Sequence, residues 1–322
     1  MSFQRSISVI AVLGRAVCAF HLLILGYGRV GRDVAHDAQS IFTTITGTVR
    51  QPSEPVGNIH LIPFQDRCIQ PLLSNCSHIL IALPPPREKD DELEAVLQSI
   101  QQQFPRNGWI GIISTTGVYG DHQGSWVTET SVCSPSSESA SRFLQWEHEW
   151  RKKCQHNGYQ LAIFRCAGIY GPGRSALHTV YRNTASEGGG ITNRIHTHDL
   201  SRAVVECMRK SRIGDESSMG DCEIFNLADD LPESRAVVLK YARDLLQSGG
   251  LWDNTTDNMV LPSKTSNRAR RRETEEKRVC NRKMKKILLD GTNLIFPTYK
   301  EGLRHILEQP SEPWWERKVY HP

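Results

Sequence analysis

Near the amino end, Gly26-Tyr27-Gly28-Arg29-Val30-Gly31 has the residue types and spacing that suit an anionic ligand. A glycine at the first position allows a tight turn. At the second it lets backbone approach a group that a Cβ would hold off, and at the third it lets the next helix pack closely on a sheet. The first turn of that helix then aims unpartnered N–H groups and a partial positive charge at the ligand. A dinucleotide's diphosphate fits this description, with Tyr27, Arg29 and Val30 framing the glycines.

Two further blocks carry hydroxyl, aromatic and cationic groups. One is Ser114-Thr115-Thr116-Gly117-Val118-Tyr119-Gly120; the other runs Arg165-Cys166-Ala167-Gly168-Ile169-Tyr170-Gly171-Pro172-Gly173-Arg174. A later stretch, Arg194-Ile195-His196-Thr197-His198-Asp199, leads into a helical pattern. No GxSxG elbow accompanies these groups, so a serine-hydrolase arrangement is not supported.

Positioning such groups requires strands that end beside them. Leu22 to Leu25 reads as a buried strand entering the glycine loop, Val30 to Gln39 as a helix, and Thr43 to Val49 as a second strand, closing a βαβ unit of about thirty residues. Two prolines within Gln51 to Asn58 leave no room for a helix before the strand Ile59 to Phe64. The continuous apolar run His78 to Leu83 predicts a strand covered on both faces. Helix is predicted over Glu88 to Phe104, strand over Trp109 to Ser114, helix over Ser141 to Lys153 and strand over Leu161 to Arg165. This alternation predicts an α/β chain with a doubly wound parallel Rossmann sheet. Residues 21–175 would form it, residues 176–310 a smaller C-terminal substrate lobe, and 311–322 a tail. The basic stretch 249–286 is read as a connection with little regular order.

The tip of the second strand usually selects the nucleotide. An acidic residue there holds a ribose 2′-hydroxyl; here Thr48-Val49-Arg50 ends the strand without one. A guanidinium at Arg50 would pair a 2′-phosphate, so NADP(H) is the expected cofactor and NAD(H) the alternative.

Composition narrows the rest. The 322 residues are 39% hydrophobic and 23% charged, with net charge +4, as in a globular domain with a smaller lobe. No apolar run approaches the ~18 residues of a spanning helix. Nine cysteines, an odd number without a CxxC pair, argue against a disulfide framework and a structural metal site, and for a reducing compartment. Residues 1–20 contain Arg5 and Arg15, and no acid precedes Asp33. That suits a transit segment; the expected setting is cytoplasmic, or a plastid or mitochondrial interior if a leader is present. Between Lys264 and Lys286 eleven Lys or Arg face three Glu. Few aromatics interleave, so an exposed connection is preferred over a nucleic-acid patch.

In this order and spacing, the blocks resemble the extended short-chain dehydrogenase/reductase group, the NAD-dependent epimerase/dehydratase family. The stretches Lys277-Arg278-Val279-Cys280-Asn281 and Phe296-Pro297-Thr298-Tyr299-Lys300-Glu301-Gly302-Leu303 look like an atypical branch of it. The resemblance spans His21 to Leu307. It implies that Gly26, Gly28 and Gly31 hold the pyrophosphate and that Leu83 and Pro84 lie along the cofactor. It places Cys166 to Gly168 beside the nicotinamide, with Ser114, Ala167 and Gly168 among the cofactor contacts. Thr115 would bond the substrate oxygen, Tyr170 and Arg174 would begin the substrate contacts, and Asp199 would link the lobes. A small-molecule substrate and a homodimer through helices four and five are also implied.

The family's acid/base tyrosine and the lysine four residues on are missing. The stretch that should hold them, Pro135 to Glu147, contains no tyrosine. One register puts Glu138 and Arg142 at the two positions; the other puts Ser139 and Phe143. Arg142 would still hold a ribose or phosphate but would not tune a neighbour as lysine does. Tyr119, Glu138 and His198 are the substitute proton donors on offer. The expected function is an NAD(P)-dependent oxidoreductase or epimerase-like enzyme on a small carbonyl, alcohol or sugar-derived substrate. The alternative is a non-catalytic NADP(H)-binding redox sensor or assembly factor.

Overall fold

The strand ahead of the glycine loop is β1 (His21–Leu25), and its side chains divide between two cores. Leu22 and Ile24 enter one; Leu23 and Leu25 enter the other. All four are fully buried. A strand covered on both faces needs apolar residues throughout, which is why HLLIL is continuous, not alternating.

The computed structural model describes residues 20–51, 54–55, 57–182, 190–211, 220–251 and 276–308. The leader reading of residues 1–20 falls almost wholly outside them, as do residues 252–275 of the basic stretch and the tail.

Strands follow in chain order as β2 (Thr44–Val49), β3 (Ile59–Pro63), β4 (His78–Ile81), β5 (Trp109–Thr115), β6 (Trp126–Val127) and β7 (Gln160–Cys166). After them come β8 (Gly168–Tyr170), β9 (Ile191–Thr192), β10 (Arg194–His196), β11 (Cys222–Leu227), β12 (Glu233–Ser234) and β13 (Arg278–Val279). Seven form one sheet in the order β11-β7-β5-β4-β1-β2-β3, every pair parallel. Strand order reverses between β1 and β4, the place where open α/β sheets bind ligands.

The helices are α1 (Arg29–Ala38), α2 (Asp66–Ile69), α3 (Asp91–Gln103), α4 (Glu138–Asn157), α5 (Ala176–Tyr181), α6 (Thr197–Lys210), α7 (Arg235–Ser248) and α8 (Tyr299–Glu308). Helices α1 and α6 cover one face of the sheet, and α3 and α4 the other. The ends of α4 are set locally. Ser137 accepts a hydrogen bond from the Ala140 N–H, and Gly158 ends the helix with φ +71°. Trp146 and Trp150, one turn apart, meet edge to face at 6.0 Å beneath it.

A boundary at residue 175 does not divide the sheet. Its outer strand β11 and the covering helix α6 both come from later in the chain. What stands apart is a smaller core of α5, α7 and α8, built on Leu177, Val238, Ala242, Leu246, Tyr299 and Leu303.

The described end of the basic stretch is docked. Lys277 is buried and donates to the Gly120 carbonyl at 2.8 Å. Lys283 pairs with Glu223 at 2.5 Å and Lys285 with Asp230 at 3.0 Å.

Candidate functional site

The glycines divide their work as their spacing predicts. Gly26 has φ +92°, and a Cβ there would lie 2.8 Å from Leu83 Cδ2. A Cβ on Gly31 would lie 2.5 Å from the Gly26 carbonyl oxygen, so the start of α1 packs directly on the turn. Gly28 differs: it is exposed, and a Cβ there would meet nothing within 4 Å. No side chain caps α1, so the N–H groups of its first turn have no partner within the helix. An open glycine before an uncapped helix start is a cradle that fits a diphosphate.

The loop is anchored from below. Gly26 N donates to Thr48 Oγ1 at 2.9 Å and Tyr27 N to the Thr48 carbonyl at 2.8 Å. The Tyr27 ring lies over Gly47, where a Cβ would be 2.4 Å from its Cδ2. Sequence reasoning passed over Gly47 and Thr48; a glycine inside a strand was the available signal.

Parallel register brings the other strand ends to the same edge. Leu25 faces Ile81, Ile81 faces Ile112, and Thr115 faces Cys166. Leu83 touches the glycine loop, Pro84 is exposed beside it, Ala167 N donates to the Leu227 carbonyl, and Gly168 is exposed. Gly26, Leu83, Thr115 and Gly168 thus lie at strand ends on one edge of the sheet, where a doubly wound fold has its ligand crevice. Thr115 is half-buried, and its Oγ1 accepts from Gly117 N at 3.1 Å. The hydroxyl hydrogen has no acceptor among the described residues.

Other residues singled out in the sequence are engaged elsewhere. Ser114 Oγ donates to Glu147 Oε1 at 2.5 Å in the protein interior. Tyr119 is fully buried, its hydroxyl donates to Asn226 Oδ1 at 2.7 Å, and burial pushes it up to about 12. That hydroxyl is thus engaged in the interior. Tyr170 is buried, donates to the Thr298 carbonyl at 3.4 Å and presses on Gly302. It belongs to the small lobe's core, not to a substrate surface. Arg142 pairs with Glu138 at 2.6 Å along α4, and Phe143 packs with Val118 and Tyr119. Neither register therefore supplies a tyrosine or a lysine. Asp199 does link lobes: it is fully buried and accepts from the N–H groups of Ile295 and Phe296 at 2.7 and 2.9 Å.

Among the described residues no group of His, Cys, Asp and Glu is placed to hold a metal ion, and the eight described cysteines are free. No helix among them is long and apolar enough to cross a membrane.

No family profile matches the chain. Protein YeeZ of Escherichia coli K12 is 31% identical over 152 residues, 44% of this chain and 52% of YeeZ. The chain thus spans about half the length of the curated relatives it matches. Among solved structures, a functionally unknown conserved protein of Silicibacter pomeroyi is 27% identical with TM-score 0.68, over 89% of this chain and 98% of that one. MoeE5 in complex with UDP-glucose and NAD is 17% identical with TM-score 0.68, over 89% and 97%. The UDP-glucuronic acid 4-epimerase of Bacillus cereus in complex with NAD is 15% identical with TM-score 0.65, over 88% and 96%.

MoeE5 and the Bacillus cereus epimerase were solved with NAD, which overturns the NADP(H) preference read from Arg50. The physical reason lies in the placement of that residue. Arg50 follows the last residue of β2 and is exposed, and a guanidinium in water gives a weak preference for a 2′-phosphate. In fold, the chain is similar to solved structures described as NAD-dependent epimerases and dehydratases, and its own sequence lacks the Tyr-x-x-x-Lys pair.

Proposed function

We propose that the chain binds NAD(H) at the glycine loop and acts as an oxidoreductase or epimerase-like enzyme on a small carbonyl, alcohol or sugar-derived compound. One observation carries this reading. Gly26 and Gly31 close against their own chain, while a Cβ on Gly28 would meet nothing within 4 Å, which leaves room there for a diphosphate. A bound nicotinamide would supply hydride transfer. Backbone amides at the start of α1 would hold the diphosphate, with Leu83 and Pro84 alongside it and Ala167 and Gly168 near the nicotinamide. The Thr115 hydroxyl would donate to the substrate oxygen and orient it.

A second reading rests on α4, where Glu138, Ser139, Arg142 and Phe143 stand in place of the proton-transfer pair. It is a protein that holds NAD(H) without turning it over. Nicotinamide fluorescence titration, followed by a panel of carbonyl and alcohol substrates, separates the two. Turnover that falls at least 100-fold in Thr115→Val and recovers in Thr115→Ser supports the enzyme. Micromolar NADH binding with no turnover on the panel supports the second reading. No NADH binding at all removes both.

A further inference from the structure

Arg29 belongs to the glycine loop, yet its side chain leaves it. Nη1 donates to the Pro172 carbonyl at 2.5 Å, and Nη2 lies 3.3 Å from the position a Cβ on Gly173 would take. The segment it reaches is a tight turn. Gly171 N donates to the Arg174 carbonyl and Arg174 N to the Gly171 carbonyl, each at 3.0 Å, with Gly173 at φ +79°. The turn presents a second guanidinium, the exposed Arg174, directly after β8. Two cations from distant parts of the chain therefore lie close enough to repel each other, beside the glycine loop. Among the described residues neither has a carboxylate within ion-pair distance. Asp33, one turn further along α1, attracts Arg29 only at longer range, while Arg174 and Arg32 repel it. Burial, with those two neighbours, lowers the Arg29 pKa below its ordinary value.

We infer that Arg29 and Arg174 form a clamp for an anionic group, a phosphate or a carboxylate, on the compound this crevice takes beside its dinucleotide; this rests on the NAD(H) reading above. Juxtaposed like charges are unfavourable until an anion joins them, and guanidinium forks match both anions. The dinucleotide's own diphosphate has the amides of α1, so the arginines face the other occupant. The clamp restricts the substrate class to acidic or phosphorylated compounds.

The test uses the full chain, saturated with NAD, in thermal melts against inorganic phosphate and against malonate. Chloride keeps ionic strength constant. A saturable rise in Tm with one probe is expected, and the probe that gives it names the anion. Arg174→Gln should raise the half-saturating concentration at least tenfold while its NADH affinity stays within twofold of wild type. Arg29→Gln should weaken the anion likewise, and the exposed Arg174 decides the matter if that variant folds poorly. If neither probe exceeds the chloride control in a protein that binds NADH, the clamp is overturned and the dinucleotide site stands. A tenfold loss of NADH affinity in Arg174→Gln also overturns it, because the arginines would then serve the dinucleotide. If wild type binds no NADH, the same anion titrations on the protein alone still decide the clamp.

Discussion

Glu147 and Arg165 meet inside the protein, Oε2 to Nη2 at 2.8 Å, with 0% and 4% of their side chains exposed. Arg165 Nε also donates to both carboxylate oxygens at 3.2 Å. Its guanidinium lies over the Tyr119 ring, 4.9 Å from the centroid. The pair joins α4 to β7 and, through Ser114, to β5, so the strand that carries Thr115 is held from beneath. Removing one member strands a buried charge, at a cost of about 3–5 kcal/mol, whereas removing both does not. Glu147→Met should lower stability to urea by that amount, and adding Arg165→Met should recover part of it. A single variant within 1 kcal/mol of wild type would show that water reaches the pair.

The glycine loop separates folding from binding. A methyl on Gly31 collides with the Gly26 carbonyl, but one on Gly28 meets only open space. Gly31→Ala should lose about 1–3 kcal/mol of stability as well as NADH affinity. Gly28→Ala should melt within about 2 °C of wild type yet bind NADH at least tenfold more weakly. Calorimetry with fluorescence titration measures both; equal NADH affinity in Gly28→Ala and wild type would place the diphosphate elsewhere.

Asp199 accepts two backbone N–H groups of the segment that leads into α8. Without that acceptor, the Ile295 and Phe296 amides are left unsatisfied where they are buried or half-buried. Asp199→Ala should cost about 2–4 kcal/mol. Hydrogen exchange should speed up at these two amides and through α8 before the main sheet is affected. Uniform acceleration across the chain would contradict this local role.

Stability should depend on pH through groups with opposite signs. Burial lowers His78 to about 4, and burial together with His198 and His305 lowers His196 to about 3. Each is neutral in the fold and binds its proton more readily when unfolded, near 6.5. Their contribution is complete above about 6.5 and is lost as pH falls toward 4. Asp229 acts in the other direction. Burial raises it to about 8 from 3.8, so the fold keeps a proton that the unfolded chain releases. Its contribution is full below 3.8 and declines as pH rises to 8. Urea unfolding from pH 4 to 8 should show the acid loss in wild type, and Asp229→Asn should flatten the decline between pH 5 and 8. Parallel profiles for the two proteins would rule out the Asp229 assignment.

Much of the fold could be read in the chain because its signals are local. The run HLLIL, the glycine spacing, the helix over Leu93, Val96, Leu97 and Ile100, and the paired tryptophans of α4 each follow from period, capping and backbone freedom over a few residues. The short pairings β8 with β10 and β6 with β13 were not legible, since two or three residues carry no periodicity. The place of β11 at the outer edge of the main sheet follows from its pairing with β7, some sixty residues earlier, which no local pattern shows.

The candidate site divides in the same way. Residue type and spacing alone determined that a glycine loop ends β1, that hydroxyls follow β5, and that α4 holds no tyrosine. Only tertiary structure decided that Tyr119 and Tyr170 are core groups, that Ser114 serves the Glu147–Arg165 pair, and that Arg29 reaches Pro172. Backbone geometry is set within a few residues, whereas a long side chain's partner depends on which distant strand ends share its edge of the sheet.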